Sequence, residues 1–492
     1  MSEKQQKHGR VLALILLIAL IGTACTGRFP ARLGGKGKQE VETIALPTTP
    51  PEATETVTAP VAEESEQERV ARATRPRRVL GTTAGGTTVS QTESGLPIAD
   101  IWPADQDRVG ISANEIKLCM HAAFLLGPVF DNHPDDERVY WDAVNAAGGV
   151  YGRKVSIQFT DDQYIASGTT AALDQCKQNN PFLYMGGVGF DQAPAGRAWA
   201  ETNKLPYLYN LAVEAPNLKY SFSFLPSIER NGRLLGEFVG SRFQGPETTV
   251  GVIYVDTDNW RAGYKEFETA IKKRGMSVKR AEPISNNNHP DFGSIIFNMQ
   301  RDGVNLVLAY INALALNRFI VQADGQSYHP VILSPDGFDL VPDVVGNGPD
   351  GDGIDHMARF PGIYAAWVTP AYEIGPPNEK ARPSVPWYSE MQAMKNAYSK
   401  YRPNKTPNDV DFMFWLAMKT VHQMLIDCSK DCSRNILAGL MLTGYKTNIL
   451  DCPIDFSMGG GRVGGHYHNI YKSEPVGNRS FWRQIETCKK EF

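Results

Sequence analysis

The chain has 492 residues, too many for one small core and enough for two lobes of ordinary size with extra segments. Hydrophobic residues make up 42% of it and aromatic residues 10%, so most of the chain can bury a core. A formal net charge of −4 gives no sign of the clustered basic surface that binds nucleic acid, and we expect no nucleic-acid partner.

The first 24 residues are typical of an export signal. Lys4, Lys7 and Arg10 precede an unbroken apolar run over residues 11–21, and small residues follow it. The run is shorter than the ~20 residues that span the hydrocarbon core of a bilayer, which disfavours an uncleaved membrane anchor. Residues 1–24 are therefore predicted to be a signal peptide.

Cys25 follows the string IGTA, and together they resemble the lipobox of bacterial lipoproteins, whose cysteine takes a diacylglycerol and becomes the first mature residue. Gly22 stands where the lipobox usually has leucine, and ordinary cleavage after Ala24 is the alternative. The chain has 7 cysteines, so an even number remains for disulfides once Cys25 is lipidated. We predict a lipid anchor at Cys25 on the outer face of the cell membrane.

Residues 25–108 are rich in Pro, Thr, Glu, Ser and Gly and poor in apolar residues. Such a segment buries too little surface to offset the entropy of ordering it. We expect a disordered tether over 25–108, with a root-mean-square reach on the order of 50 Å.

From residue 110 onward, strand-like and helix-like stretches alternate. Strands are predicted at 116–120, 155–159, 182–185 and 207–209, and helices at 137–147, 169–176 and 193–202. After residue 226, strands are predicted at 249–255, 306–310 and 331–333, and helices at 263–274 and 314–323. Long helices at 387–401 and 412–427 and short strands at 454–456 and 467–471 follow. This βαβα order predicts parallel sheets with helices on both faces.

Six short strings lie in order along this part of the chain, at residues 110–117, 144–154, 161–162, 254–263, 303–308 and 334–337. The first, GISANEIK, resembles the opening of the type I periplasmic binding proteins, and the second, VNAAGGVYGRK, resembles their helix-to-strand turn. From residue 110 to the C-terminus, the chain resembles the leucine/isoleucine/valine-binding branch of that family. Its members are substrate-binding lipoproteins of ATP-binding-cassette (ABC) transporters.

The resemblance implies an α/β fold of two Rossmann-like lobes joined by three crossovers, with a ligand cleft between them. Lobe 1 would comprise residues 109–228 and 362–465, and lobe 2 would comprise 229–361 and the C-terminal segment 466–492. In open parallel sheets, ligands lie beyond the carboxyl ends of the strands, where helix N-termini offer unpaired N–H groups.

A glycine-rich loop at residues 186–191 follows a predicted strand of lobe 1 and precedes a helix, so its glycines allow backbone N–H groups to approach an anion. A tight turn that binds nothing is the alternative. Amino-acid binders usually have hydroxyl side chains in this loop and after the next strand, and this chain lacks them there. The ligand therefore need not be a branched-chain amino acid. The expected ligand contacts of lobe 1 are Gly187, Gly189, Phe190, Asp191 and Ala212.

Three positions of lobe 2 fall where the resemblance places ligand contacts. Trp260 corresponds to an aromatic residue stacked over the ligand, Asp336 to an acidic residue that meets an ammonium group, and Asn312 to a further contact. The alternatives are a tryptophan packed beneath a surface loop and an exposed aspartate in a Pro-Asp-Gly turn.

No pattern in the sequence favours a metal, a cofactor or catalysis. The acidic run at 350–355 lacks the spacing and the closing glutamate of an EF-hand. His466 and His468 have no cysteine or carboxylate partner nearby in the sequence. We expect a non-enzyme without a cofactor. The remaining cysteines are expected to pair as Cys119–Cys176, Cys428–Cys432 and Cys452–Cys488, although spacing alone leaves the pairing open.

These features predict an extracytoplasmic, lipid-anchored monomer that captures an amino acid or related small organic solute between its lobes. It would deliver that solute to the membrane permease of an ABC importer. A receptor subunit of the same fold is the alternative, followed by an extracellular enzyme, because the fold alone does not determine function.

Overall fold

The computed structural model describes residues 78–83, 86–124, 132–187, 189–209, 218–335, 354–367, 387–448, 452–459, 461–476 and 479–490. These residues all fall within one structural unit, Glu63–Phe492. The predicted signal peptide lies outside the described residues, as do Cys25, Ala212 and Asp336.

The elements up to the first lobe crossing are β1 (Arg78–Thr82), β2 (Thr88–Gln91), β3 (Pro97–Ala99), α1 (Ala104–Asp107), β4 (Glu115–Ala122), α2 (Val139–Ala146), β5 (Lys154–Asp161), α3 (Ala166–Lys177), β6 (Leu183–Gly186), α4 (Gln192–Asn203), β7 (Tyr207–Tyr209) and β8 (Ser221–Ser223). The next are α5 (Ile228–Arg242), β9 (Val250–Val255), α6 (Asp258–Lys272), β10 (Val278–Ile284), α7 (Gly293–Arg301), β11 (Leu306–Tyr310), α8 (Ala313–Gly325), β12 (Val331–Ser334), a 3-10 helix (His356–Arg359) and β13 (Ile363–Trp367). The last are α9 (Tyr388–Tyr401), α10 (Asp409–Asp427), α11 (Arg434–Leu442), β14 (Lys446–Thr447), β15 (Ile454–Gly459), β16 (Val463–Gly465), β17 (Tyr467–Val476) and β18 (Arg479–Lys490).

Two large sheets define the lobes. The lobe 1 sheet has the order β14-β15-β16-β8-β7-β6-β4-β5, and its strands from β8 to β5 are parallel. The lobe 2 sheet has the order β10-β9-β11-β12-β13-β17-β18; its first five strands are parallel, and β17 pairs antiparallel with both β13 and β18. The chain passes between these sheets three times. The α/β fold of two lobes predicted from the sequence is confirmed.

Sequence patterns explain why the central strands sit where they do. All five residues of β11 (LVLAY) are buried, which is typical of a parallel strand covered by helices on both faces. Polar side chains mark the starts of several helices. The Ser227 hydroxyl, for example, accepts a hydrogen bond from Arg230 N at 3.1 Å at the start of α5.

The tether was predicted to extend to residue 108, and this boundary is wrong. Strands β1, β2 and β3 form a small antiparallel sheet, and β3 packs against α11. Asn435 on α11 accepts hydrogen bonds from Ile101 N at 3.0 Å and Trp102 N at 2.9 Å. The polar composition of 25–108 as a whole concealed these few apolar residues, which gain burial only by docking on lobe 1.

One assigned lobe boundary is also corrected. Strand β13 falls in the range 362–465 that was expected in lobe 1, but it pairs with β12 and β17 in the lobe 2 sheet. Strands β14, β15 and β16 of the same range do join the lobe 1 sheet. The crossing from lobe 2 back to lobe 1 therefore occurs after residue 367.

Two of the three expected disulfides are present. Cys119 is bonded to Cys176 with their Cα atoms 5.7 Å apart, and Cys428 to Cys432 with their Cα atoms 4.9 Å apart. The expected pair Cys452–Cys488 is not bonded, and both residues are thiols in this structure. Asn469 Oδ1 lies between them, accepting hydrogen bonds from Cys452 Sγ at 3.3 Å and from Cys488 N at 2.9 Å.

Candidate functional site

The glycine-rich loop of lobe 1 begins at the carboxyl end of β6 and leads into α4. Gly189 has φ +121°, a conformation that L side chains rarely adopt, and its carbonyl accepts a hydrogen bond from the Tyr209 hydroxyl at 2.5 Å. A Cβ atom on Gly187 would lie 2.6 Å from the Cβ atom of Ala122. Glycine is therefore required at both positions to hold the loop against the end of the sheet.

The backbone N–H of Gly187 is engaged within lobe 1. It donates a hydrogen bond to the His121 carbonyl at 2.8 Å. The expectation that this N–H meets an anionic group of the ligand does not agree with that geometry. At this position the glycine allows the loop to pack closely against β4.

Below the loop lies a buried polar cluster that sequence reasoning missed. His121 Nδ1 is 2.7 Å from Asp162 Oδ2, and His121 Nε2 is 2.7 Å from the Tyr207 hydroxyl. All three side chains are fully buried. Burial, and next the charge of Asp162, raise the pKa of Tyr207 well above its ordinary value, so its phenol stays protonated. The cluster joins the carboxyl ends of β4 and β5 to the start of β7.

Asp191 and Trp260, predicted on facing lobes, are in direct contact. The indole Nε1–H of Trp260 donates to Asp191 Oδ1 at 2.7 Å. The centroid of the Trp260 ring also lies 4.9 Å from the centroid of the Phe190 ring, and Trp260 is fully buried. In this structure Trp260 packs against lobe 1, whereas the resemblance implied a ring stacked over the ligand.

Asn287 completes this contact and was not identified from the sequence. It lies after β10, and its Nδ2 donates to Asp191 Oδ2 at 3.1 Å. Its Oδ1 accepts from Asn312 N at 2.7 Å. Burial raises the pKa of the Asp191 carboxyl above its ordinary value, and the hydrogen bonds from Trp260 and Asn287 partly offset that increase.

Asn312, an expected ligand contact, is the N-cap of α8. Its Oδ1 accepts from Ala315 N at 2.9 Å, which satisfies one of the unpaired N–H groups at the start of the helix. Its side chain is buried. This capping interaction accounts for an asparagine at position 312 without any contact to a ligand. The backbone N–H of Asn312 also holds the Asn287 side chain in place.

Of the expected site residues on the described part of the chain, three meet directly between the lobes. Phe190 and Asp191 meet Trp260, and Asn259 Nδ2 adds a hydrogen bond across the lobes to the Phe190 carbonyl at 2.8 Å. Within the described residues, no group of three or more His, Cys, Asp and Glu side chains is placed to hold a metal ion. In the same part of the chain, no helix combines the length and apolar character needed to cross a bilayer.

The fold and this contact between the lobes define a class of two-lobed α/β binding protein. The model of the periplasmic binding protein family matches residues 137–440, more than half of the chain. The chain belongs to the periplasmic binding protein family. A comparison with curated protein sequences finds no match.

Solved structures of ABC transporter binding proteins share the fold. A fatty acid ABC transporter substrate-binding protein from Thermomonospora curvata is 15% identical with a TM-score of 0.61, over 78% of this chain and 94% of that one. A solute-binding protein from Rhodopseudomonas palustris BisB5 in complex with 3,4-dihydroxybenzoic acid is 15% identical with a TM-score of 0.58, over 77% and 98%. A branched-chain amino-acid ABC transporter protein from Thermus thermophilus with bound valine is 14% identical with a TM-score of 0.58, over 77% and 97%.

Proposed function

We propose that the protein captures a small organic solute between its two lobes and delivers it to the permease of an ABC importer. The observation that carries this proposal is the meeting of the lobe 1 loop with lobe 2 at the carboxyl ends of both parallel sheets. Phe190 and Asp191 of the loop contact Trp260 of lobe 2 there. Ligands of open parallel sheets bind at this end. No chemical step on the solute is part of the proposal.

The solute is proposed to be an amino acid or another small organic acid. Aromatic rings at the meeting point offer apolar contact area, since Phe190 lies 4.9 Å from Trp260. The relatives above are named for a fatty acid, a dihydroxybenzoic acid and valine, all of which carry a carboxyl group. In the proposed site, Gly189 and Phe190 contact the solute from lobe 1. Ala212 and Asp336 are proposed to make further contacts with it.

The proposed setting is the outer face of the cell membrane. A lipid at Cys25 would hold the chain there, and the segment that contains Ile101 and Trp102 docks on lobe 1 through Asn435. The tether is proposed to lie between Cys25 and this docked segment. The protein is proposed to act as a monomer, with the permease and the membrane as its partners.

A thermal-shift screen of the domain tests the proposal. The panel comprises aliphatic amino acids, hydroxybenzoates, benzoate and fatty acids of several lengths. At a hundredfold excess over Kd, a ligand of the folded state adds about 2.7 kcal/mol to the free energy of unfolding. We expect one chemical class to raise the melting temperature saturably. A panel with no saturable shift in any class would contradict the proposal.

A further inference from the structure

The carboxylate of Asp191 joins lobe 1 to two different elements of lobe 2. Its Oδ1 accepts from Trp260 Nε1 on α6 at 2.7 Å, and its Oδ2 accepts from Asn287 Nδ2 after β10 at 3.1 Å. Hydrogen bonds to a charged acceptor are stronger than those between neutral groups. Both donors come from the facing lobe, so separating the lobes breaks both bonds at once.

The amide of Asn287 is oriented by its own lobe. Its Oδ1 accepts from Asn312 N at 2.7 Å, which leaves Nδ2 directed at Asp191. Arg318 Nη1 donates to the Asn287 carbonyl at 3.1 Å and fixes the backbone of the same residue. Asn287 is therefore preorganised within lobe 2, and the donor it offers to lobe 1 loses little further freedom when the lobes meet.

We propose that Asp191, Trp260 and Asn287 form a latch that sets how readily the cleft closes. In this inference they are positioning residues, and they affect solute affinity through the population of the closed form. The inference rests on the proposed function, because closure is linked to affinity only in a protein that captures a solute between its lobes. A solute ammonium group would have to compete with two protein donors for Asp191.

The chain offers a matched pair of substitutions for testing the latch. Asn287→Asp keeps the size of the side chain and the acceptor for Asn312 N, but replaces the donor to Asp191 with a second carboxylate. Where both groups are ionised, two carboxylates at hydrogen-bond distance repel each other, so the lobes should separate as the pH is raised above the range in which the pair can hold a proton. Asn288→Asp makes the same change one residue later, at an exposed position, and serves as the control.

A reciprocal exchange supplies the rescue. In the double variant Asp191→Asn with Asn287→Asp, the amide and the carboxylate change places and one donor again faces one acceptor. The amide oxygen at position 191 still accepts from Trp260 Nε1, and the carboxylate at position 287 still accepts from Asn312 N. A merely destabilising effect of the Asn287→Asp change would not be reversed by a second substitution on the other lobe.

Small-angle X-ray scattering of each protein without added solute gives the result. We expect Asn287→Asp to increase the radius of gyration, Asn288→Asp to leave it unchanged, and the double variant to return it to the wild-type value. Circular dichroism confirms that each variant is folded. An Asn287→Asp variant as compact as the wild type, or a double variant as open as the single one, would overturn the latch. The solute screen of the wild-type protein fails or succeeds independently of this outcome.

Discussion

A pair of buried acids in lobe 1 makes the stability of the protein depend on pH in an unusual direction. Glu137, before α2, and Asp411, in the first turn of α10, are each almost fully buried, and their carboxyl groups are close enough to interact with each other. Burial, followed by the charge of Asp411, raises the pKa of Glu137 well above its ordinary value. Burial also raises the pKa of Asp411, so the pair as a unit holds a proton to higher pH than an ordinary carboxyl group does.

The surroundings of the pair offer little compensation. Asp136 adds a further negative charge, and the Lys405 ammonium lies 4.0 Å from Asp411 Oδ2. Because the folded state holds the proton more tightly than the unfolded state, the stabilisation is fully present below the unfolded pKa of about 4.3 and is lost as pH rises toward the folded pKa. The loss is about 1.4 kcal/mol for each pH unit in that window.

Glu137→Gln removes this dependence, because the glutamine amide donates to Asp411 without a titrating proton. Between the unfolded and the folded pKa, the variant should gain on the wild type by about 1.4 kcal/mol for each pH unit. Urea unfolding at several pH values measures the difference, and Glu247→Gln, at an exposed carboxyl, is the control. Parallel pH profiles for Glu137→Gln and wild type would refute the shared proton.

Three further outcomes follow from single contacts. Replacing Cys119 and Cys176 by serine removes the disulfide between β4 and α3 and should cost about 2–4 kcal/mol in urea unfolding. Asn435→Ala removes the acceptor for Ile101 N and Trp102 N, so limited proteolysis should cut the segment before residue 108 faster than in wild type. Cys25→Ser should release the exported protein from the membrane, whereas a membrane-bound variant would contradict the lipid anchor. Mass spectrometry of the wild-type N-terminus provides the matching test.

The central strands and long helices were predictable because the spacing of apolar residues along the sequence reflects which of their side chains are buried. The apolar run of β11 was predicted at 306–310 and is found at those residues. By contrast, β10 was missed, since its side chains alternate between partly buried and exposed at the edge of the sheet and include Pro283. Helix α6 begins five residues before its predicted start at 263, and this places Trp260 in the first turn of a helix.

The site was predictable in part. Family order brought Phe190, Asp191 and Trp260 to the same cleft, and the structure places them in contact. Asn287 could not be found in this way, because an asparagine in a polar turn is common and its role depends on where the two lobes meet. The first strands, at 78–99, were hidden for a similar reason. Their few apolar residues are stabilised by α11, which is more than 300 residues away in the chain.

Isothermal titration of the domain with the best solute from the screen, followed by mass spectrometry of the released compound, tests the central claim most directly. Solute capture between two lobes predicts one solute bound per chain, released chemically unchanged. Asn287→Asp should bind it more weakly, and Asn288→Asp should bind it like the wild type. A stoichiometry other than one per chain, or recovery of a converted compound, would contradict the account.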